Sequence, residues 1–133
     1  MLRTIIAIVV GFVAASTVMM AFEYANSQMF PFPAGTDLND IGQVRAFAAT
    51  MPLSALAFVA VGWSMGSLLA GIVSTRIAGG ESATPALVTG VLLTAFGAVN
   101  AWMIQNPLWF HLGGLPIFML GAVLGEWAGR KRA

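Results

Sequence analysis

A serine within a glycine-flanked motif is the first feature of this chain that could do chemistry. Gly62, Ser64 and Gly66 match the G-x-S-x-G pattern, in which the serine attacks an acyl group. That pattern needs a strand-to-helix turn, whereas these residues lie in the middle of a long uncharged run. The one available base, His111, falls about 12 Å away from Ser64 along the predicted helix axes. A hydrogen bond of about 3 Å is then out of reach, so we predict that the protein is not an enzyme.

Polar side chains concentrate near the predicted outer ends of the helices. They are Glu23, Asn26, Asn100, Gln105, Asn106 and His111. Ionisable and amide groups at this depth usually face the helix bundle or water. We favour a hydrogen-bonded cluster that ties the helix ends to the loop, because solvation costs little at an interface. The alternative is a small outward-facing site, in which Glu23 accepts a proton or cation and His111 is its partner.

Composition excludes most cofactor and nucleic-acid chemistry. The chain has no cysteine and one histidine, which excludes thiol catalysis, iron–sulfur clusters and a multi-histidine metal site within one chain. His111 could still ligate the metal of a tetrapyrrole, although a lone interfacial histidine is more often merely hydrogen-bonded. A net charge of +1 gives no basis for binding nucleic acid. We therefore expect no cofactor and no nucleic-acid partner.

The elements that carry these residues are defined by long uncharged runs. Residues 4–22, 46–75 and 82–125 contain no charge, and the last run is long enough to cross a bilayer twice. A hydrocarbon core of ~30 Å needs about 20 apolar residues per helix. We therefore predict an all-α membrane protein, a single domain over 1–133 with a bundle of four transmembrane helices. The expected spans are about 4–25, 51–75, 83–105 and 107–129. The fourth is expected to be one helix with a kink near residues 113–116.

The loop between the first two spans, residues 26–49, is the only substantial segment expected outside the bilayer. Ile41, Val44 and Phe47 recur at helical spacing after several capping residues, which predicts a short amphipathic helix at the outer interface. Five of the six lysines and arginines fall on the side of the termini, and only Arg45 falls in this loop. The positive-inside rule then predicts that both termini are cytoplasmic.

Small residues recur at four-residue spacing on three of the predicted helices. These residues are Gly62, Gly66, Ala70 and Ser74 on the second span, Ala86, Gly90, Thr94 and Ala98 on the third, and Gly121, Gly125 and Gly129 on the fourth. Such faces let helix backbones approach closely where lipid gives no hydrophobic incentive to associate. Packing within one chain is the simpler explanation of any single face. We nevertheless expect at least one of these faces to contact another subunit.

A faint internal repeat relates the two halves of the chain. A shift of 55 residues places Pro52 on Pro107 and Gly66 on Gly121. If the halves are duplicated αα-hairpins, they are parallel repeats, because the second and fourth spans run in the same direction. The inverted repeats that are typical of many transporters are not visible.

The motifs of the outer half resemble those of one group of membrane proteins. Glu23, the loop segment Phe30-Pro31-Phe32-Pro33 and the later Asn106-Pro107-Leu108-Trp109-Phe110 are similar to small, uncharacterised bacterial inner-membrane proteins of four spans. The resemblance implies a multi-pass location in the bacterial inner membrane. It implies no activity, because that group has none to carry over.

These observations favour a protein that acts by helix–helix association, either as a homo-oligomer or as an accessory subunit of a larger membrane complex. The expected partners are the lipid bilayer and a second copy or another membrane protein. The alternative is a small transporter or channel with an outward-facing polar vestibule. A conduit needs polar residues through the middle of the membrane, and the sequence supplies few there. They are Ser16, Thr17, Ser64, Ser67 and Thr94.

Overall fold

Five α-helices form the fold in the computed structural model, which describes residues 1–131. They are α1 (Leu2–Met29), α2 (Ile41–Ala49), α3 (Leu53–Ala78), α4 (Thr84–Ile104) and α5 (Leu108–Gly129). All but α2 are long and apolar enough to cross a membrane. The prediction of an all-α fold with four helices able to cross a membrane is confirmed. We call the end of the bundle that carries residues 30–52 the loop end, and the opposite end the termini end.

The helix boundaries follow the local chemistry of the chain. α1 continues four residues past its predicted end at residue 25, because no helix breaker occurs before Pro31, whose ring disfavours helical backbone at Phe30. α4 carries Pro85 in its first turn, where a missing N–H has no helical partner to lose. α5 is one continuous helix through Gly113 and Pro116, as predicted for the fourth span. The extra turn of α1 matters most, because it brings Asn26 into the bundle.

The central helix of the bundle is α3, which packs against α1 on one side and α5 on the other, with α4 as a third neighbour. The largest buried side chain of α3 is Trp63. The centroid of its ring lies 5.1 Å from that of Phe110 and 5.0 Å from that of Phe118. Tilted aromatic pairs at this separation attract one another beyond simple contact. The aromatic cluster therefore fixes α3 and α5 at one register.

At the termini end, Arg3 and Lys131 both donate hydrogen bonds to backbone carbonyls at the end of α3 and in the turn that follows it. Gly79 and Gly80 have φ of +111° and +79°, which glycine adopts without steric cost. The Arg3 Nε donates to the Ile77 carbonyl at 2.5 Å, and the Lys131 N–H donates to the Gly80 carbonyl at 3.2 Å. The first and last described segments of the chain therefore meet at the same turn.

The short helix predicted within the outer loop is present as α2. Asp40 caps it, because its carboxylate accepts from the Gly42 N–H at 2.9 Å and from the Gln43 side-chain amide at 3.1 Å. These hydrogen bonds, that of Gln43 first, hold the pKa of Asp40 below its ordinary value of 3.8. The ring of Phe47 lies 4.3 Å from that of Phe32, and the Arg45 Nε donates to the Met103 carbonyl at 2.7 Å. The loop and α2 are thus held against the end of α4.

Asp40→Ala is expected to fray the first turn of α2. The Gly42 amide should then exchange with deuterium about fivefold faster, since alanine accepts no capping hydrogen bond. The folded pKa of Asp40 lies below the unfolded one, so the cap is complete above the unfolded pKa and is lost as pH falls through the folded pKa. Asp40→Asn keeps an acceptor and serves as the control. Unchanged exchange in Asp40→Ala would contradict the capping role.

Candidate functional site

A cavity of about 190 Å³ lies at the loop end, between α1, α3, α4 and the connection that contains α2. We call it the loop-end cavity. Its polar lining residues are Glu23, Asn26, Ser27, Asn100 and Asn106. Its apolar lining residues are Phe30, Phe32, Val44, Phe47, Ala48, Met51, Leu56, Val59 and Ile104. The cavity is therefore mostly apolar, with one carboxylate and three amides.

Glu23 belongs to the long helix α1, six residues before its end, and its side chain is exposed at the cavity. The preceding residue, Phe22, presses on Gly62 so closely that a Cβ on that glycine would lie 2.6 Å from the Phe22 Cβ. Gly62 follows Leu53, the first residue of α3, by nine positions, which is about 14 Å of helical rise. Glu23 is therefore level with the third turn of α3, beside the aromatic cluster.

The carboxylate of Glu23 has a fixed neighbour. The Trp63 side chain, which is 6% exposed, has its indole N–H within reach of the Glu23 carboxylate as a hydrogen-bond donor. Among the described residues that line the cavity, none carries a positive charge. A carboxylate in such surroundings accepts a cation or a proton more readily than it stays bare.

Asn26 is the second polar group with an unusual environment. It lies three residues after Glu23 on α1, so the two side chains share one face of the helix. Asn26 is 4% exposed, and its Oδ1 has no hydrogen-bond partner among the described residues. A buried acceptor without a donor destabilises the fold unless something else supplies that donor.

The structure brings together part of the predicted polar cluster. Glu23, Asn26 and Asn100 line the same cavity, whereas Gln105 and His111 do not. Gln105 ends α4 with φ of 56° and its backbone N–H donates to the Ala101 carbonyl at 2.9 Å, so its contribution is to turn the chain. His111 lies beside the Phe110 ring at 6.1 Å, centroid to centroid. The predicted partnership of His111 with Glu23 is therefore absent from the cavity.

Within the G-x-S-x-G motif, Trp63 and not Ser64 reaches the cavity carboxylate. The Ser64 hydroxyl donates to the Ala60 carbonyl at 2.8 Å, so it is engaged within its own helix. The neighbouring Trp63 is the residue that reaches the site. Sequence reasoning missed it because a tryptophan in an apolar run is usually core or interface. The aromatic loop residues Phe30 and Phe32 also line the cavity.

The small-residue faces lie between helices of the same chain. Gly62 and Gly66 face α1, where a Cβ on Gly66 would lie 3.0 Å from the Ala15 carbonyl oxygen. Gly121, Gly125 and Gly129 face α3, and a Cβ on Gly129 would lie 2.9 Å from the Ile72 carbonyl oxygen. Ala70 is fully buried. These faces are therefore occupied by internal packing, the simpler of the two explanations.

Hydroxyl groups in the middle of the bundle form no continuous polar path. Thr17 donates to the Val13 carbonyl at 2.9 Å, Ser67 to that of Trp63 at 2.7 Å, and Thr94 to that of Gly90 at 2.8 Å. Each hydroxyl is thus satisfied by the preceding turn of its own helix. The polar lining of the loop-end cavity does not continue toward the termini end through these groups.

Comparison with protein-family models, with curated proteins and with solved structures finds no match for this chain. The fold and the cavity themselves define the class of protein. It has four long apolar helices that fit an integral membrane protein, with a carboxylate-bearing cavity at one end.

Proposed function

We propose that this integral membrane protein is a small carrier that binds an organic cation in the loop-end cavity. The observation that carries the proposal is Glu23, a carboxylate in a mostly apolar cavity whose described lining contains no basic side chain. Glu23 belongs to α1, one of the helices long and apolar enough to cross a membrane, and ionisable groups in such helices mark solute or ion pathways. Apolar walls with a few convergent polar groups are typical of sites for small organic molecules.

A carrier accounts for the middle of the bundle better than a channel does. A channel needs polar groups that continue across the membrane. Here the hydroxyls of Thr17, Ser67 and Thr94 are engaged by their own helices. Between the cavity and the termini end lies the aromatic cluster of Trp63, Phe110 and Phe118. A cation bound at Glu23 can then cross only if the helices rearrange.

Association with another subunit has less support than cation binding. The sequence argued for it from small-residue faces, and those faces already pack α3 against α1 and α5. The large apolar side chains exposed on α1, such as Ile5, Val9 and Val13, suit contact with lipid. The partner that these faces favour is therefore the bilayer.

We infer that the termini end faces the cytoplasm of a bacterial cell and that the cavity opens outward from its inner membrane. Arg3, Arg76, Arg130 and Lys131 all belong to the termini end, whereas Arg45 lies on α2. Arg132, which entered the same count, lies outside the described residues. An excess of basic residues marks the cytoplasmic side.

Cysteine labelling tests this orientation directly. In intact cells, Asp37→Cys is expected to react with a membrane-impermeant maleimide added from outside, whereas Lys131→Cys is expected to react only after lysis. The native chain contains no cysteine, so each variant carries one reactive thiol. Labelling of Lys131→Cys from the outside would overturn the inferred direction.

Glu23→Gln is expected to abolish cation transport while leaving the fold intact. Proteoliposomes adsorbed on a solid-supported membrane should give a current when the bath is switched to n-butylammonium, since a moving ammonium carries charge. Loss of the carboxylate should reduce that current at least about tenfold, because a charge-assisted contact becomes a neutral one. Glutamine nearly matches glutamate in volume and can still accept a hydrogen bond from Trp63.

Glu81→Gln is the matched control, because Glu81 is exposed in the turn between α3 and α4. It removes the same charge away from the cavity and should leave the current unchanged. Equal currents from wild type and Glu23→Gln would refute the proposed function, as would a complete lack of current above that of protein-free vesicles.

A further inference from the structure

We propose that the loop-end cavity selects a primary ammonium group over a quaternary ammonium of equal charge, an inference that rests on the proposed function. The cavity presents more acceptors than its own donors can satisfy. The Glu23 carboxylate receives the Trp63 indole N–H and has further lone pairs, and the Asn26 Oδ1 is buried without a partner. A ligand that completes this site must therefore bring N–H groups as well as charge.

Donors from the protein are scarce at this point. The Ser27 hydroxyl is engaged, because it donates to the Tyr24 carbonyl at 2.7 Å. The aromatic and aliphatic walls donate nothing, which leaves the side-chain amides of Asn100 and Asn106. A primary ammonium supplies three N–H donors and a full positive charge. It can bond to Glu23 and Asn26 together, since these residues share one face of α1.

The competing classes of cation fit less well. A quaternary ammonium could lie against the rings of Phe30, Phe32 or Phe47, but it has no N–H and leaves the Asn26 Oδ1 unpaired. Inorganic cations such as Ca²⁺ take about six to eight oxygen ligands, which this mostly apolar lining does not offer. The apolar walls of the 190 Å³ cavity suit a short alkyl chain attached to the ammonium.

The ammonium could belong to a free amine or to the headgroup of phosphatidylethanolamine. Both present the same N–H donors, so the cavity chemistry is shared and the source must be found by experiment. Phosphatidylcholine carries the quaternary counterpart. The two lipids therefore reproduce, within the membrane, the comparison between primary and quaternary ammonium groups in solution.

The test compares n-butylammonium with tetramethylammonium, which are isomers of equal charge. Titration calorimetry of the purified protein in phosphatidylcholine nanodiscs is expected to show about tenfold tighter binding of the primary isomer, since each lost hydrogen bond to a buried group weakens binding. Repeating the titration with phosphatidylethanolamine in the nanodiscs identifies the source. Weaker n-butylammonium binding there indicates that the headgroup occupies the cavity, and unchanged binding indicates a free amine.

Asn26→Leu keeps the side-chain size and removes the acceptor, so the tenfold preference should shrink to about twofold or less. Asn39→Leu makes the same change in the exposed loop and should keep the preference. Equal affinity of the two isomers for the wild-type protein, with both lost in Glu23→Gln, would overturn this inference and leave the proposed function standing. Failure of both isomers to bind would overturn the inference and the proposed function together. The wild-type comparison stands even if Asn26→Leu does not fold.

Discussion

Gly125→Leu is expected to prevent α5 from packing against α3. A Cβ at this position would run into the Leu68 carbonyl oxygen and lie 2.9 Å from both the Gly71 Cα and the Ile72 backbone nitrogen. These neighbours are backbone atoms of a regular helix, so they cannot rotate away as a side chain would. Overpacking of this kind costs roughly 3 kcal/mol of unfolding free energy. Unfolding in mixed micelles titrated with sodium dodecyl sulfate, followed by far-ultraviolet circular dichroism, measures the loss.

Gly113→Leu provides the matched control on the same helix. Gly113 is exposed, and a Cβ there would meet no other atom within 4 Å. The substitution should raise stability by about 0.5–1 kcal/mol, because glycine is a poor residue for a helix interior. If Gly125→Leu and Gly113→Leu unfolded at the same detergent fraction, the close contact of α3 with α5 would be wrong.

Trp63→Ala is expected to lower stability by about 3 kcal/mol and to abolish the n-butylammonium current. The side chain is 6% exposed, and its ring packs against Phe110, Phe118 and the backbone of Gly114. In a membrane protein the loss comes mainly from contacts left unmade around a cavity, since lipid is as apolar as the core. The current should vanish because Glu23 loses the hydrogen bond that orients it. The same detergent titration and current recordings measure the two effects.

Trp63→Phe separates packing from hydrogen bonding. Phenylalanine preserves much of the ring packing, so the stability loss should stay below about 1.5 kcal/mol. It cannot donate to Glu23, so the n-butylammonium current should be lost as in Trp63→Ala. A Trp63→Ala protein as stable as the wild type would show that the aromatic cluster contributes nothing to the fold.

The helices themselves could be predicted from the sequence because charge and apolar length are local properties. Long uncharged runs locate α1, α3, α4 and α5, and Asp40 marks the start of α2. The end of α1 could not be located, since nothing between residues 26 and 29 strongly opposes a helix and its extension depends on packing. That extra turn places Asn26 in the cavity.

The site could be predicted only in part, because a sequence does not specify how neighbouring helices are rotated. The level of Glu23 and Asn100 followed from helical rise, and both residues line the cavity. His111 lies on α5, which among the described helices does not pack against α1, and it does not line the cavity; no spacing rule reveals which helices are neighbours. The small-residue faces carried the same ambiguity, since Gly66 and Gly125 could have faced either a sister helix or another subunit.

The way in which α2 is attached determines how firmly one wall of the loop-end cavity is held. This helix packs against α4, where the Arg45 Nε donates a hydrogen bond to the Met103 carbonyl, and among the described helices it has no comparable contact with α1, α3 or α5. The helix α2 is therefore held to the bundle by few contacts, whereas the four long helices pack closely against one another. Regions with few packing contacts open locally at lower free energy than the whole fold, so α2 is expected to open without disturbing the close contacts between the long helices.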